Sequence, residues 1–276
     1  LKLPVSARYA AMGGVLTATS HGNAANALTN PASLADVKGT QVNTSRLNYI
    51  ADINYQTASI VRNFGNVGII GIQLMYLDYG EQLRTENVRT IGGTGIIMDV
   101  QYEGLGSFSC NDLAFGLSYA RQITNKLQVG TNIKYLQQTL DDAKMSGFSV
   151  DIGTLYFTGI KSLRFAMLAR NLGPDTYYNN YEGRIGYAAY PTRLPSVFAF
   201  GVAFDLLENG DSPHLLTIAS EFTRPNDGEA KINIGTEYTL LDMAVVRAGY
   251  RYNYDEEDLS FGGGLKLSTG AYSLLL

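Results

Sequence analysis

Residues 127–138 read Leu127-Gln128-Val129-Gly130-Thr131-Asn132-Ile133-Lys134-Tyr135-Leu136-Gln137-Gln138. Side chains of an extended strand point alternately to its two faces. Leu127, Val129, Thr131, Ile133 and Tyr135 therefore share one face. Gln128, Gly130, Asn132, Lys134 and Gln138 share the other, and only Leu136 interrupts that polar row. A tilted strand needs roughly 9–11 residues to cross the hydrocarbon layer of a bilayer. An apolar row of that length, closed by an aromatic and backed by small and polar residues, is the pattern of a strand with lipid on one side and a polar lumen on the other.

The same alternation recurs along the chain. Leu113, Phe115, Leu117 and Tyr119 oppose Asp112, Ala114, Gly116, Ser118 and Ala120. Ile232, Ile234 and Tyr238 oppose Lys231, Asn233, Gly235 and Glu237. Val246, Ala248, Tyr250 and Tyr252 oppose Arg247, Gly249, Arg251 and Asn253. The pattern predicts strands over 41–49, 54–62, 66–79, 108–121, 126–139, 147–157, 162–170, 196–206, 214–222, 230–239, 243–253, 258–267 and from 270 onward, the first two being the least regular. Short turns such as Thr124-Asn125 and Leu241-Asp242 alternate with longer segments, above all 80–107 and 171–195. Bacterial outer-membrane barrels have short periplasmic turns and longer outer loops, so connection lengths support the same topology independently of side-chain pattern. Single-chain bacterial barrels use even strand numbers. The expectation is an all-β, transmembrane antiparallel barrel of fourteen strands whose last strand is missing from this chain. Residues 1–39 would form a plug inside it, and 40–276 the C-terminally incomplete wall.

Composition agrees. The chain holds 30 Gly, 19 Tyr and 11 Phe but no Trp, and charged residues reach only 17%, against about 25% in soluble domains. The net charge of −4 and the absence of a basic stripe argue against nucleic-acid binding. The single cysteine, Cys110, allows no internal disulfide and reads as a packing residue. Residues 1–10 carry no signal-peptide pattern. No stretch is apolar enough for a helical span: the longest uncharged run, from Tyr9 to Ala35, is broken by Asn23, Asn26, Asn30 and Pro31.

Residues 1–39 do not alternate. Their small residues, with Pro31 beside an Asn cluster, suggest a close-packed segment with fixed turns. Met12-Gly13-Gly14, then Asn23 and Asn26, then Asn30-Pro31-Ala32 resemble the N-terminal hatch of the FadL-like outer-membrane barrels, and most closely the PorV/PorQ branch. Tyr76-Leu77-Asp78-Tyr79-Gly80, Leu117-Ser118-Tyr119-Ala120-Arg121, Asp151-Ile152-Gly153 with Tyr156, and Arg170-Asn171-Leu172-Gly173 extend the similarity over essentially the whole chain. Each motif is short, and their order and spacing carry the resemblance. It implies a fourteen-stranded barrel with a periplasmic hatch in a bacterial outer membrane. FadL-like members carry hydrophobic molecules across that membrane. PorV-like members serve the type IX secretion system by binding secreted or surface-attached proteins.

No catalytic constellation stands out. His21 and His214 have no second histidine at a metal-ligand spacing, and no Gly-x-Ser-x-Gly motif occurs. The reading is a binding or transport protein without cofactor or metal. The Gly92-Gly93-Thr94-Gly95 run lacks the strand-to-helix context of a phosphate loop. The acidic run Asp255-Glu256-Glu257-Asp258 reads as a solvated loop. The inward row carries Lys134, Asp151, Arg164, Arg170, Glu221, Lys231, Glu237, Arg247, Arg251 and Lys266. Buried charges must be paired, so these are expected to form a network that holds the hatch; a polar conduit is the alternative. Two outer segments are candidate partner-binding surfaces: the Pro-braced stretch with Tyr177, Tyr178, Tyr181, Tyr187 and Tyr190, and the loop with Ile91, Ile96, Ile97 and Met98. The leading expectation is a PorV-like component that binds proteins through its outer loops, embedded in outer-membrane lipid. A FadL-like conduit for small hydrophobic compounds is the alternative.

Overall fold

A computed structural model describes residues 3–19, 22–83, 86–87, 99–100, 106–179, 191–207, 214–241, 243–254, 258–269 and 272–275. Thirteen strands follow one another as antiparallel neighbours in one sheet. They are β1 (Thr40–Asn48), β2 (Asn54–Asn63), β3 (Ile69–Leu83), β6 (Ser107–Thr124), β7 (Leu127–Leu140), β8 (Ala143–Phe157), β9 (Arg164–Leu172), β11 (Val197–Leu206), β12 (His214–Pro225), β13 (Lys231–Leu240), β14 (Ala244–Tyr252), β15 (Leu259–Thr269) and β16 (Tyr272–Leu275). A separate two-stranded pair, β4 (Glu86–Asn87) and β5 (Asp99–Val100), lies between β3 and β6. The short β10 (Tyr178–Asn179) attaches to β8. Every strand anticipated from the alternation is present. The β3–β6 hairpin runs further than its pattern suggested, to Leu83 and Ser107, across a bulge between Asp78 and Glu81.

Burial follows the alternation. On β3, Ile70, Ile72, Leu74 and Tyr76 are exposed, whereas Gly71, Gln73, Met75 and Leu77 between them are buried. On β7 the rows separate as the sequence indicates, and Leu136 joins the buried one. An exposed face of Ile, Leu, Phe and Tyr over a buried face rich in Gln, Asn, Ser and charge is the reverse of a water-soluble sheet, whose apolar face points inward.

The sheet also wraps around. Thr57 on β2 donates to the Val5 carbonyl at 2.8 Å, and three residues on Arg8 donates to Glu237 on β13 at 2.8 Å. Residues 5 to 8 can span no more than about 14 Å. Strands near opposite ends of the path therefore face each other across the N-terminal segment, as they must in a curled wall. The result is an all-β antiparallel barrel architecture.

The first hairpin departs from the expected greasy exterior. The outward row of β1 is Thr40, Val42, Thr44, Arg46 and Asn48, and that of β2 is Gln56, Ala58, Ile60 and Arg62. Register explains how these polar groups are accommodated. Arg46 pairs with Gln56 across the ladder, and its guanidinium donates to Asn48 and Asn54 at 3.1 and 2.9 Å. Arg62 lies 5.5 Å from the Phe64 ring centroid.

Candidate functional site in the lumen

The N-terminal segment fills the buried side of the wall, and its local structure comes from capping. Ser6 accepts from the Tyr9 amide to start α1 (Ala7–Ala11). Asn23 accepts from the Ala25 amide to start a 3-10 turn over Ala24–Leu28, and Asn30 accepts from Ala32 to start another over Pro31–Asp36. Asn side chains are preferred caps, and a following Pro is already set at the helical φ. Asn26 is buried and donates to the Ser33 carbonyl at 3.3 Å, which ties the two turns together. The motif residues are thus the scaffold of the plug.

The wall holds this scaffold with directed polar groups. Glu221 accepts from the Leu16 and Thr17 amides at 3.2 and 2.9 Å. Arg164 donates to the Ala18 carbonyl, Asn132 to that of Ala27, and Ser59 to that of Ala24, all at 2.8–2.9 Å. Asn30 reaches both the Thr17 carbonyl and, on β8, that of Thr154.

Close approach is permitted by inward glycines. A Cβ at Gly130 would collide with the Pro31–Ala32 backbone, and one at Gly249 with the Met12–Gly13 backbone. Each sits opposite another glycine in the ladder, Gly153 and Gly235 respectively. Gly13 and Gly14 adopt φ of 65° and 83°, which L side chains rarely tolerate. Gly262, on the glycine run of β15, makes room for Ala11.

All ten inward charges fall on the buried side. Lys134 pairs with Asp151 at 2.8 Å, Arg164 with Asp205 at 2.6 Å, and Glu237 is held between Arg8 and Arg247 at 2.8 and 2.6 Å. Arg170 lies within electrostatic reach of Tyr9, Asp151, Glu221 and Tyr55. Lys231 stacks 3.9 Å from the Tyr254 ring centroid, and Arg251 lies 5.7 Å from the same ring. Lys266 is half-buried on the inward row of β15.

The Arg170-Asn171-Leu172-Gly173 motif acquires a physical meaning here. The β8–β9 register shifts between Val150 and Ile152, and Asn171 takes a φ of 55°, a conformation Asn accepts more readily than most residues. The bulge lets Asn171 turn inward beside Arg170. Its amide donates to Asp151, its Oδ1 accepts from Lys134, and its Nδ2 donates to the Pro195 carbonyl at 3.0 Å.

Above the plug the interior becomes apolar. Tyr55, Met75, Leu77, Ala114 and Leu136 from the wall, Val5 and Leu28 from the plug and Leu194 from the connection before β11 form one buried cluster. Leu194 belongs to an outer strap. Thr176 and Thr192 exchange two backbone hydrogen bonds at 3.0 and 2.8 Å, and Asn226 donates to the Leu194 carbonyl at 2.9 Å. Beside the cluster lies a cavity of about 900 Å³ between α1, β1 and β13–β15, lined in part by Leu3, Leu47, Lys231, Arg247, Arg251 and Tyr254.

The partner-binding candidates divide. Tyr177 is 54% exposed. Tyr178 is half-buried in β10, and its hydroxyl bonds to Gln138, so it is turned to the wall and not offered to a partner. The β10–β8 pairing, absent from any single-strand pattern, causes that. Tyr181, Tyr187, Tyr190, Ile91, Ile96, Ile97 and Met98 lie outside the described residues, as do His21, the Gly92–Gly95 run and Asp255, Glu256 and Glu257. His214 meets the Tyr238 hydroxyl at 3.0 Å through Nδ1. Cys110 is buried and free. Among the described residues, no group of three or more His, Cys, Asp or Glu side chains could hold a metal ion.

Sequence reasoning missed Arg8, Asp205, Asn171 and Asn226 as polar partners, and Tyr55, Met75, Leu77 and Leu194 as a cluster. One signal was available: Leu136, the apolar residue that breaks the polar row of 127–138, is a cluster member.

Two solved structures share this architecture. One is the CymD monoaromatic hydrocarbon channel, 13% identical, with a TM-score of 0.58 over 96% of this chain and 88% of that one. The other is the Pseudomonas putida toluene transporter TodX, 15% identical, with a TM-score of 0.57 over 96% of this chain and 89% of that one. No curated protein matches. A family model matches residues 1–158, more than half of the chain, and by that match the protein belongs to the family described as "Uncharacterised protein family (UPF0164)".

Proposed function

We propose that this protein is an outer-membrane barrel that carries small hydrophobic compounds across a bacterial outer membrane. The observation that carries the reading is the apolar cluster in which wall, plug and strap meet, beside the ion-paired part of the lumen. Tyr55, Met75, Leu77 and Leu136 turn an apolar inner face toward the plug and the strap, a surface that suits an apolar solute. The shared architecture with two hydrocarbon channels supports the same choice. The exposed Ile, Leu, Phe and Tyr belt supports location in a membrane. No step of chemistry is assigned: the wall would bind and pass its solute without altering it.

The test compares initial uptake of radiolabelled toluene by bacterial cells that express the barrel and by cells with an empty vector, with a labelled disaccharide as control. Expression is expected to raise toluene uptake severalfold and leave the sugar unchanged. Equal toluene uptake in the two strains would remove the proposal.

Partner-protein binding, as in the PorV branch, is a second reading, here at the outer face of the first hairpin. It draws on one specific observation, the polar outward row of β1 and β2, which is better suited to a protein surface than to acyl chains.

A further inference from the structure

We infer that the seat of Leu194 is a binding site for a single aromatic ring, and that Leu194 is the barrel's own stopper for it. This deepens the conduit reading and rests on it. Leu194 does not come from the wall. It is carried in by the strap and is only 7% exposed among Tyr55, Met75, Leu77, Ala114 and Leu136. A side chain brought by a loop into an apolar recess occupies the space a ligand would take. Apolar cavities of about 150 Å³ admit benzene, so withdrawing a leucine and allowing modest relaxation opens room for one ring.

The lining favours an aromatic over an aliphatic guest. Met75 offers a thioether and Tyr55 a ring, and both gain specific contacts with aromatic groups. The cluster's own side chains are aliphatic, aromatic or thioether groups, which suit an uncharged guest, and Arg170 lies within electrostatic reach of Tyr55 at its edge.

The attachment of Leu194 suits displacement. Its own carbonyl is held by the Asn226 amide, and the following carbonyl, of Pro195, by the Asn171 amide. The plug beneath is fixed by buried ion pairs and by backbone seated on glycines, whereas the stretch around Leu194 is held to the wall by neutral hydrogen bonds, the Asn226 N–H to the Ser196 carbonyl at 3.0 Å among them. Neutral hydrogen bonds contribute about 1 kcal/mol each, and those to charged groups more. The outer side of the cluster is therefore the side that yields.

The test pins the strap. An ideal Cβ at Gly147 lies 3.8 Å from the Thr176 Cβ, the usual separation in a disulfide, and Thr176 is bonded to Thr192, two residues before Leu194. Gly147→Cys/Thr176→Cys, in a Cys110→Ser background, should therefore form one reducible bond between strap and wall. Toluene binding is read by headspace partition over the full barrel in lipid nanodiscs. The oxidised and reduced forms are compared, so that lipid uptake cancels.

The reduced form is expected to bind about one toluene per barrel, and the oxidised form to lose at least about tenfold in affinity, since a closed stopper lowers apparent affinity by the open fraction. Leu194→Ala should bind at least as tightly as the reduced form, and Ala114→Phe, which fills the seat, should abolish binding. Equal binding by oxidised and reduced protein, or binding by neither, overturns the assignment. If those results appear while cellular toluene uptake persists, the conduit stands and only the Leu194 seat falls. If uptake is absent as well, both fall.

Discussion

The two ends of the lumen are closed by opposite means. At the plug, Glu221, Arg164, Asn132, Ser59 and Asn30 reach backbone groups of residues 16–27 or of neighbouring strands, and Gly130 and Gly249 let the plug backbone touch the wall. At the other end, Leu194 and neutral hydrogen bonds, from Asn226, from Asn171 and through the β10–β8 pairing, hold the strap over an apolar recess. The difference teaches which closure is permanent. Removing one partner from a buried ionic network strands the others in low dielectric, whereas lifting a leucine exposes only apolar surface that a solute can cover.

This contrast can be broken from either side. The largest effect is expected at Glu237. Glu237→Leu leaves Arg8 and Arg247 as buried cations facing each other, at a cost of about 3–5 kcal/mol. Urea unfolding in lipid vesicles should show a matching fall in midpoint, and an unchanged midpoint would mean that water already reaches the network. Next comes Gly130→Val, whose side chain collides with Pro31 and Ala32. Overpacking costs about 1–3 kcal/mol, and limited proteolysis should release the N-terminal segment while the wall stays resistant.

Asn226→Ala removes a strap anchor and should cost about 1 kcal/mol. Amide exchange should quicken at Thr192 and Ser196 with no change at Leu16 or Thr17; faster exchange at both ends would show that plug and strap are one unit. The smallest change is expected for Gln56→Leu, on the polar outward row of β2. Surface substitutions usually stay within about 0.5 kcal/mol. A small gain in vesicles would show that this row faces lipid, and lost co-purification of a protein would show that it faces a partner.

The wall was legible because its signals are local. Period-two alternation depends only on neighbouring residues, so Leu127 through Tyr135 declare their face without reference to other strands. Turn lengths are equally local, and the strands found match those read from the pattern. The plug motif was legible as capping chemistry at Asn23, Asn30 and Pro31. The β1–β2 exterior was not, because Arg46 becomes acceptable outward only when register supplies Asn48 and Asn54.

The site was legible only as a set of inward charges. Which charge meets which depends on strand stagger: Lys134 finds Asp151 across one ladder, while Arg8 finds Glu237 across the lumen, 229 positions away. The apolar recess was hidden for the same reason. Met75 and Leu77 look like ordinary strand residues, and Leu136 like a flaw in a polar row, until the curvature of the sheet brings them together with Leu194.

The sequence by itself determined which side chains of a strand share the outer face and which share the inner one, since a two-residue repeat leaves each side chain only two directions. Only the tertiary structure decided what the interior side chains do. Pairing, plugging and the Leu194 seat arise between residues from distant strands, and their distances are set by the curvature of the wall.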